Sequence, residues 1–212
     1  MTKLSDFRKE YTAGNLAENE VNKNPILQFN QWMEQAIAAG FLEPNAMTLA
    51  TATADGKPSA RVVLLKEVNE NGFVFFTNYF SRKGRELLSN PFAALVFDWH
   101  EMARQVRVEG RVEKISAEDS DAYFDSRPET SKIGAWVSPQ SKILKSREEL
   151  DELQVSFEEK FRHQKISRPL HWGGFIVLPT TIEFWQGRPS RLHDRIVYHQ
   201  TEEGWTMHRL AP

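Results

Sequence analysis

The 212-residue chain has no cysteine. This excludes disulfides, thiolate nucleophiles, iron–sulfur clusters and cysteine-based zinc sites together, so any redox chemistry must come from a bound cofactor. An excess of one charge is also missing. Lys and Arg number 27 against 29 Asp and Glu, a net charge of -2, without the basic surplus of a general nucleic-acid binder. The longest apolar runs, residues 73–76 and 93–97, fall far short of the roughly 18 residues of a membrane span. Residues 1–15 interleave Lys3, Asp6, Arg8, Lys9 and Glu10 and lack the apolar centre of a signal peptide. The expectation is a soluble cytoplasmic protein with neither nucleic acid nor membrane as partner. No two glycines have G-x-G spacing, so neither a dinucleotide fingerprint nor a P-loop is present. The histidines show no H-E-x-x-H or similar spacing, and no serine has a G-x-S-x-G context, so no metal site and no nucleophilic hydrolase are expected.

What is present is an ordinary globular composition, 40% hydrophobic with 14 Phe and 6 Trp, enough to fill a sizeable core. Asn24-Pro25 reads as an N-cap with Pro at the first helical position, and the apolar spacing after it predicts a helix over 25–39, closed by Gly40. Residues 46–53, 59–66 and 73–78 read as strands separated by Asp55-Gly56 and Asn71-Gly72 turns. Ser81 caps a short helix ending at Asn90-Pro91, and strands follow over 93–99 and 104–115. In the second of these, Val106, Val108, Gly110 and Val112 alternate with Gln105, Arg107, Glu109 and Arg111, giving a core face and a polar face. Helices are predicted over 116–126, from Pro128, and after a Ser146–Glu149 capping box to about 162. Strands return over 175–178, 181–185, 195–199 and 205–210. Strands bracketing helices without βαβ alternation predict an antiparallel barrel of the α+β class, in one domain spanning 1–212 with residues 1–20 mobile.

Four clusters carry basic side chains, two of them with hydroxyl groups alongside. Arg61 and Lys66 bracket the apolar strand RVVLLK; taken alone they also read as strand-end charges reaching for solvent, and alternation points them to opposite faces unless the strand bends. Ser81-Arg82-Lys83 opens a helix right after a strand, where hydroxyl, cations and free N–H groups suit a phosphate, or simply a solvated helix start. Tyr123, Arg127 and Ser131 recur at steps of four, although Pro128 interrupts a continuous helix. In RLHDR, an extended chain sends Arg191, His193 and Arg195 to one side, a concentration of positive charge that calls for an anion. Trp185 just upstream offers either a core ring or a flat surface for a planar cofactor.

These words occur together and in order: RVVLLK at 61–66, SRKG at 81–84, RQVRVEG at 104–110, SRP at 126–128, IGAWVSPQS at 133–141, then FWQG and RLHDR within 184–195 and a terminal RLAP. Over nearly the whole chain the sequence resembles the pyridoxine (pyridoxamine) 5′-phosphate oxidase family. The resemblance implies an FMN-binding split β-barrel with flanking helices, working as a homodimer with sites at the subunit interface. By motif it assigns the FMN site to Arg61, Val62, Val63, Leu64, Leu65, Lys66, Phe76, Thr77, Arg82, Lys83, Gln105, Gln140, Ser141, Trp185 and Arg195. It places Lys66, Tyr123, Arg127 and Ser131 on the substrate phosphate, and Arg191, Leu192 and His193 at the pyridine ring, with Arg191 and His193 catalytic. Arg8, Lys9, Glu10 and Tyr11 resemble a segment that closes over the substrate. The implied reaction is hydride transfer from C4′ of pyridoxine 5′-phosphate or pyridoxamine 5′-phosphate to FMN, with reoxidation by O2 to hydrogen peroxide. Two positions depart from the family pattern: Phe76 stands where Tyr is frequent, and Lys9 where Arg is, so a planar fork is lost there. A flavin reductase with a nicotinamide donor and a non-catalytic flavin or pyridoxal phosphate binding module are the competing readings. Activity with NADPH alone marks the first, and binding without turnover the second.

Overall fold

The computed structural model describes residues 3, 4, 10, 11 and 14–212. Helix α1 (Pro25–Ala38) begins as the sequence predicts: the Asn24 side chain accepts from the N–H groups of Ile26 and Leu27, and Pro25 occupies the first turn. Strands β1 (Ala46–Ala52), β2 (Pro58–Leu64), β3 (Glu67–Asn69) and β4 (Gly72–Asn78) follow, then helix α2 (Arg82–Ser89). Next come β5 (Phe92–Trp99), β6 (Arg104–Lys114), helices α3 (Ala117–Ser126), α4 (Glu129–Val137) and α5 (Arg147–Phe161), and strands β7 (Trp172–Gln186), β8 (Asp194–Thr201) and β9 (Gly204–Arg209).

All pairings are antiparallel, in the order β2-β1-β5-β6-β7-β4-β3, with β8 on β7 and β9 on β8. β2 and β4 approach each other without joining, so the sheet curls into a barrel that stays open between them. The α+β antiparallel split barrel expected from the sequence is the fold observed. Its core is aromatic: Phe29 of α1, fully buried, meets Phe73 and Phe97 edge-on at 4.9 and 4.8 Å. Truncating such a ring to alanine costs about 3–5 kcal/mol. A second apolar group, Phe124, Phe161, Ile166 and Trp172, lies under α3 to α5.

The structure corrects several sequence expectations. The two strands predicted over 175–178 and 181–185 are one strand, β7: Pro179 keeps its place opposite Gly110, and a bulge at Thr180, the residue skipped between the Gly110–Pro179 and Glu109–Thr181 pairs, lets the strand continue past the proline. A Cβ on Gly110 would come within 2.1 Å of the Leu178 carbonyl oxygen, so only glycine permits this approach. β2 ends at Leu64; Leu65 turns inward and is buried, and Lys66 leads into the short unpredicted β3. Ser146 caps no backbone N–H; its hydroxyl turns to Glu148, and the Glu149 carboxylate accepts from the Lys145 N–H at 2.9 Å, one residue earlier than a capping box requires. Within the segment expected to be mobile, the stretch from Gly14 is tied to the sheet: Leu16 is buried, its N–H reaches Asp194, and Arg209 pairs with Glu18. Among the described residues no helix is long and apolar enough to cross a membrane, and no group of three or more His, Asp or Glu could hold a metal.

Candidate functional site

Two groups of polar residues gather at one end of β7, and a third at the other. The first lies where β4 hands over to α2. Ser81, fully buried, caps the helix by accepting from the Gly84 N–H, and Gly84 lets the helix start press on the Tyr79 carbonyl, where a Cβ would come within 2.3 Å. This fixes Arg82 and Lys83 beside Thr77. The Lys83 ammonium donates to Thr77 Oγ1 at 3.3 Å and Gln140 Oε1 at 3.0 Å, and the Arg82 N–H donates to Ser141 Oγ at 3.1 Å. Burial, with the neighbouring Arg61 charge, lowers the Lys83 pKa from its ordinary value. Arg61 donates to Leu49 O, Thr51 and Ser59, and pairs with Glu86, which also takes Arg82 Nε at 2.8 Å. Val62 is exposed, and β2 is an edge strand with β1 as its one sheet partner, so the outer backbone groups of 61–64 have no ladder partner in the sheet. The strand end at Leu64 supplies the bend that Arg61 and Lys66 need to share a site, yet the exposed Lys66 ammonium makes no hydrogen bond or ion pair among the described residues.

The second group adjoins the first. Pro128 does break the helix, but Arg127 and Ser131 still line one pocket of about 240 Å³ with Asn78, Ser138, Gln140 and Trp172. Tyr123 stacks on Phe76 at 3.8 Å, and Phe76 in turn on Trp172 at 5.4 Å. The Arg127 guanidinium lies 4.6 Å above the Trp172 ring, and its Nη1 is buried with no hydrogen-bond partner among the described residues. A buried unpaired guanidinium nitrogen is costly, and an anionic ligand would complete it. Gln140 belongs to both groups, so two anion-receptive places lie side by side.

The third group is a register row across three strands, Gln105, Trp185 and Arg195. The sequence expectation of Arg191, His193 and Arg195 on one face of an extended chain is not met. Residues Pro189–Arg191 form a 3-10 turn with Ser190 and Arg191 in the left-handed region, and the charge is answered inside the chain: Arg195 pairs bidentately with Glu183, which also binds Arg107. Burial raises the Glu183 pKa, but the bonds from Arg195 and Arg107 outweigh it and hold the carboxylate below its ordinary range. Arg191 is exposed, with no polar partner among the described residues, and Leu192 is exposed beside it. The His193 ring packs on Trp185 at 4.7 Å, and Tyr11 meets both rings edge-on. His193 Nδ1 accepts from the Arg188 N–H at 3.1 Å. Glu10 is exposed, and Arg8 and Lys9 lie outside the described residues.

Thr77 pairs with Gly173 and Gln105 with Trp185, twelve residues apart on β7. At roughly 3.3 Å per residue that is about 40 Å along the strand, more than one mononucleotide spans. Sequence reasoning did not find Glu86, Glu183, Asn78 or Trp172. The Arg82–Glu86 spacing of four was the available signal for the first.

The architecture defines a split-barrel protein with two adjacent clusters of basic and polar side chains. The solved structure of PhzG from Burkholderia lata in complex with tetrahydrophenazine-1-carboxylic acid superposes with a TM-score of 0.88 at 29% identity, covering 94% of this chain and 99% of that one. A pyridoxamine 5′-phosphate oxidase-related, FMN binding protein from Nostoc punctiforme shares the fold, with TM-score 0.69 at 16% identity over 87% of this chain and 97% of that one. A family model described as pyridoxamine 5′-phosphate oxidase matches residues 33–159, and one described as the pyridoxine 5′-phosphate oxidase C-terminal dimerisation region matches 172–212. A pyridoxine/pyridoxamine 5′-phosphate oxidase from Nostoc sp. is 59% identical over 99% of this chain and 98% of its own length, and one from Burkholderia multivorans is 55% identical over the full length of both. The chain belongs to the pyridoxine/pyridoxamine 5′-phosphate oxidase family.

Proposed function

We propose that this chain is an FMN-dependent oxidase that converts pyridoxine 5′-phosphate and pyridoxamine 5′-phosphate to pyridoxal 5′-phosphate. The observation that carries the reading is the pair of anion-receptive places sharing Gln140, one of them with the Arg127 Nη1 that has no partner among the described residues. Two phosphorylated ligands in contact, cofactor and substrate, are what such a pair accommodates. Arg61, Arg82 and Lys83 hold the FMN phosphate, aided by Thr77, Gln140 and Ser141; the edge of β2 from Val62 to Lys66, with Phe76, lies along the flavin. Arg127, Ser131, Tyr123 and Lys66 take the substrate phosphate.

Gln105, Trp185 and Arg195 complete the cofactor site from a second copy, because the about 40 Å of β7 between the groups forbids one chain from closing it. The working unit is therefore a homodimer with two sites. FMN, when bound, would supply the two-electron redox chemistry that couples oxidation at the substrate C4′ carbon to reduction of O2 to hydrogen peroxide. The protein's part is to fix the pose. The phosphate grip anchors a remote handle and makes the reaction effectively unimolecular. Arg191, held on a strained turn with no polar partner for its guanidinium among the described residues, orients the pyridine ring and stabilises developing negative charge. His193 offers Nε2 to the substrate, since Nδ1 is taken by the Arg188 N–H, and moves a proton there. Tyr11 covers the rings and excludes water. The alcohol gives the aldehyde directly, whereas the amine also consumes water and releases ammonia.

The test is aerobic turnover of the FMN-loaded protein with each phosphate ester. One pyridoxal 5′-phosphate and one hydrogen peroxide per substrate are expected. Flavin that stays bound while neither ester is consumed would overturn the reading.

A further inference from the structure

We propose that Glu86 is a positioning residue for the cofactor phosphate, its one carboxylate setting the guanidinium groups of both Arg61 and Arg82. The inference rests on the reading of Arg61, Arg82 and Lys83 as phosphate ligands. Glu86 lies on the inner face of α2 and is only 5% exposed. A carboxylate so placed destabilises the fold unless every lone pair is answered. Here Oε2 accepts from Thr51, from Ser59 at 2.7 Å and from Arg61 at 3.4 Å, while Oε1 accepts from Arg82 Nε at 2.8 Å. Thr51 and Ser59 are register partners across β1 and β2, so the carboxylate is pinned to the sheet by two strands before it meets either arginine.

The consequences for the two arginines differ. Arg61 is locked flat against the barrel, with Leu49 O, Thr51 and Ser59 also taking its protons. Arg82 commits only Nε, so its two terminal nitrogens, on a side chain 59% exposed, remain as a fork facing outward among the described residues. Lys83 is close enough to Arg61 for its pKa to be lowered in part by that charge. Arg61 and Arg82 meet the Glu86 carboxylate and Lys83 stands beside them on Thr77 and Gln140, so the cluster keeps a surplus of two positive charges, the complement of a phosphate dianion. Burial pushes the Glu86 carboxyl up, but hydrogen bonds from Thr51, Ser59 and Arg82 overcome this and hold it at about 2, so the charge is permanent at working pH.

Charge alone and positioning predict opposite signs. A carboxylate beside a phosphate repels it, so on Coulomb grounds its removal tightens phosphate binding. If Glu86 sets the arginines, its removal loosens binding, because the glutamine amide must turn an NH2 toward donors that previously shared an oxygen.

The experiment titrates the full-length apoprotein with FMN and separately with riboflavin, the same ring system without phosphate, by quenching of flavin fluorescence. For Glu86→Gln the expected result is an FMN Kd raised about tenfold or more, with riboflavin affinity changed by less than about twofold. An FMN Kd that is unchanged or lower overturns the proposal, and so does parallel weakening of both flavins, which would mark Glu86 as a support of the fold alone. Should Glu86→Gln fail to fold, Ser59→Ala removes one of the pinning donors. A smaller loss confined to FMN is expected from it, and an unaltered preference for FMN over riboflavin overturns the proposal. Arg82→Ala separates the two levels of inference. If it leaves the FMN preference intact, the phosphate reading itself fails; if it abolishes the preference while Glu86→Gln does not, only the role of Glu86 falls.

Discussion

Arg127 holds its guanidinium 4.6 Å above the indole of Trp172 and keeps Nη1 buried without a partner among the described residues. The ring backs the guanidinium at the wall of a pocket of about 240 Å³. A cation oriented by an aromatic face but left unsatisfied is arranged for an anion that arrives later. Arg127→Ala should therefore raise the KM for the phosphorylated substrate strongly, by about 10- to 100-fold for the loss of one charged hydrogen-bonding partner. Arg127→Lys should recover little, because an ammonium cannot reproduce the stacked planar fork. Steady-state kinetics on both variants check this, and an unaltered KM in Arg127→Ala would remove the residue from the substrate site.

Arg191 presents the opposite case, an exposed guanidinium on a turn whose left-handed backbone any L side chain adopts at a cost of about 1 kcal/mol or more. Arg191→Ala is expected to lower kcat by about a hundredfold while FMN stays bound through extensive dialysis. The absorbance of the dialysed protein and its turnover rate are read together. A preserved rate would end the assignment.

Opposite ends of β7 carry the two groups that the proposed function joins into one site, which makes subunit mixing informative. Arg82→Ala lies at one end and Arg191→Ala beside the other. Each homodimer should be crippled, whereas a mixed population should regain about a quarter of wild-type activity, since half the dimers are hybrids and each hybrid has one site free of both substitutions. Mixing that restores nothing would place both residues in a site built by one chain.

Acid should act on the barrel through Glu86. Its folded pKa of about 2 lies below the ordinary 4.5, so the stability it contributes is complete above about pH 4.5 and is lost as pH falls toward 2. Denaturant unfolding at successive pH values should show stability declining across this window, and Glu86→Gln should flatten that decline. An equal slope in the variant would mean that other carboxylates carry the acid response.

The helix at Pro25, the strands and the Ser81 cap were legible in the sequence because each has a local cause, such as a capping side chain, a glycine turn or an alternation of apolar residues. The continuity of β7 through Pro179 was not, because proline normally interrupts a ladder and the bulge at Thr180 that accommodates it forms only against β6, far earlier in the chain. The clusters at Arg82-Lys83 and Arg127-Ser131 were likewise readable from residue type and spacing. What spacing could not show was which charges the chain neutralises itself. Arg195 and Arg61 read as free cations in the sequence, yet Glu183 and Glu86 reach them only through sheet register and helix packing. The same limit applies to the RLHDR turn, where alternation assumed an extended chain and Ser190 and Arg191 instead take left-handed angles.

The most direct measurement of the account is a single turnover without oxygen. FMN-loaded protein mixed anaerobically with pyridoxine 5′-phosphate should lose its visible flavin absorbance and form one pyridoxal 5′-phosphate per site, then recover the flavin spectrum with one hydrogen peroxide when air is admitted. A flavin band that NADPH bleaches but pyridoxine 5′-phosphate leaves unchanged would contradict the account.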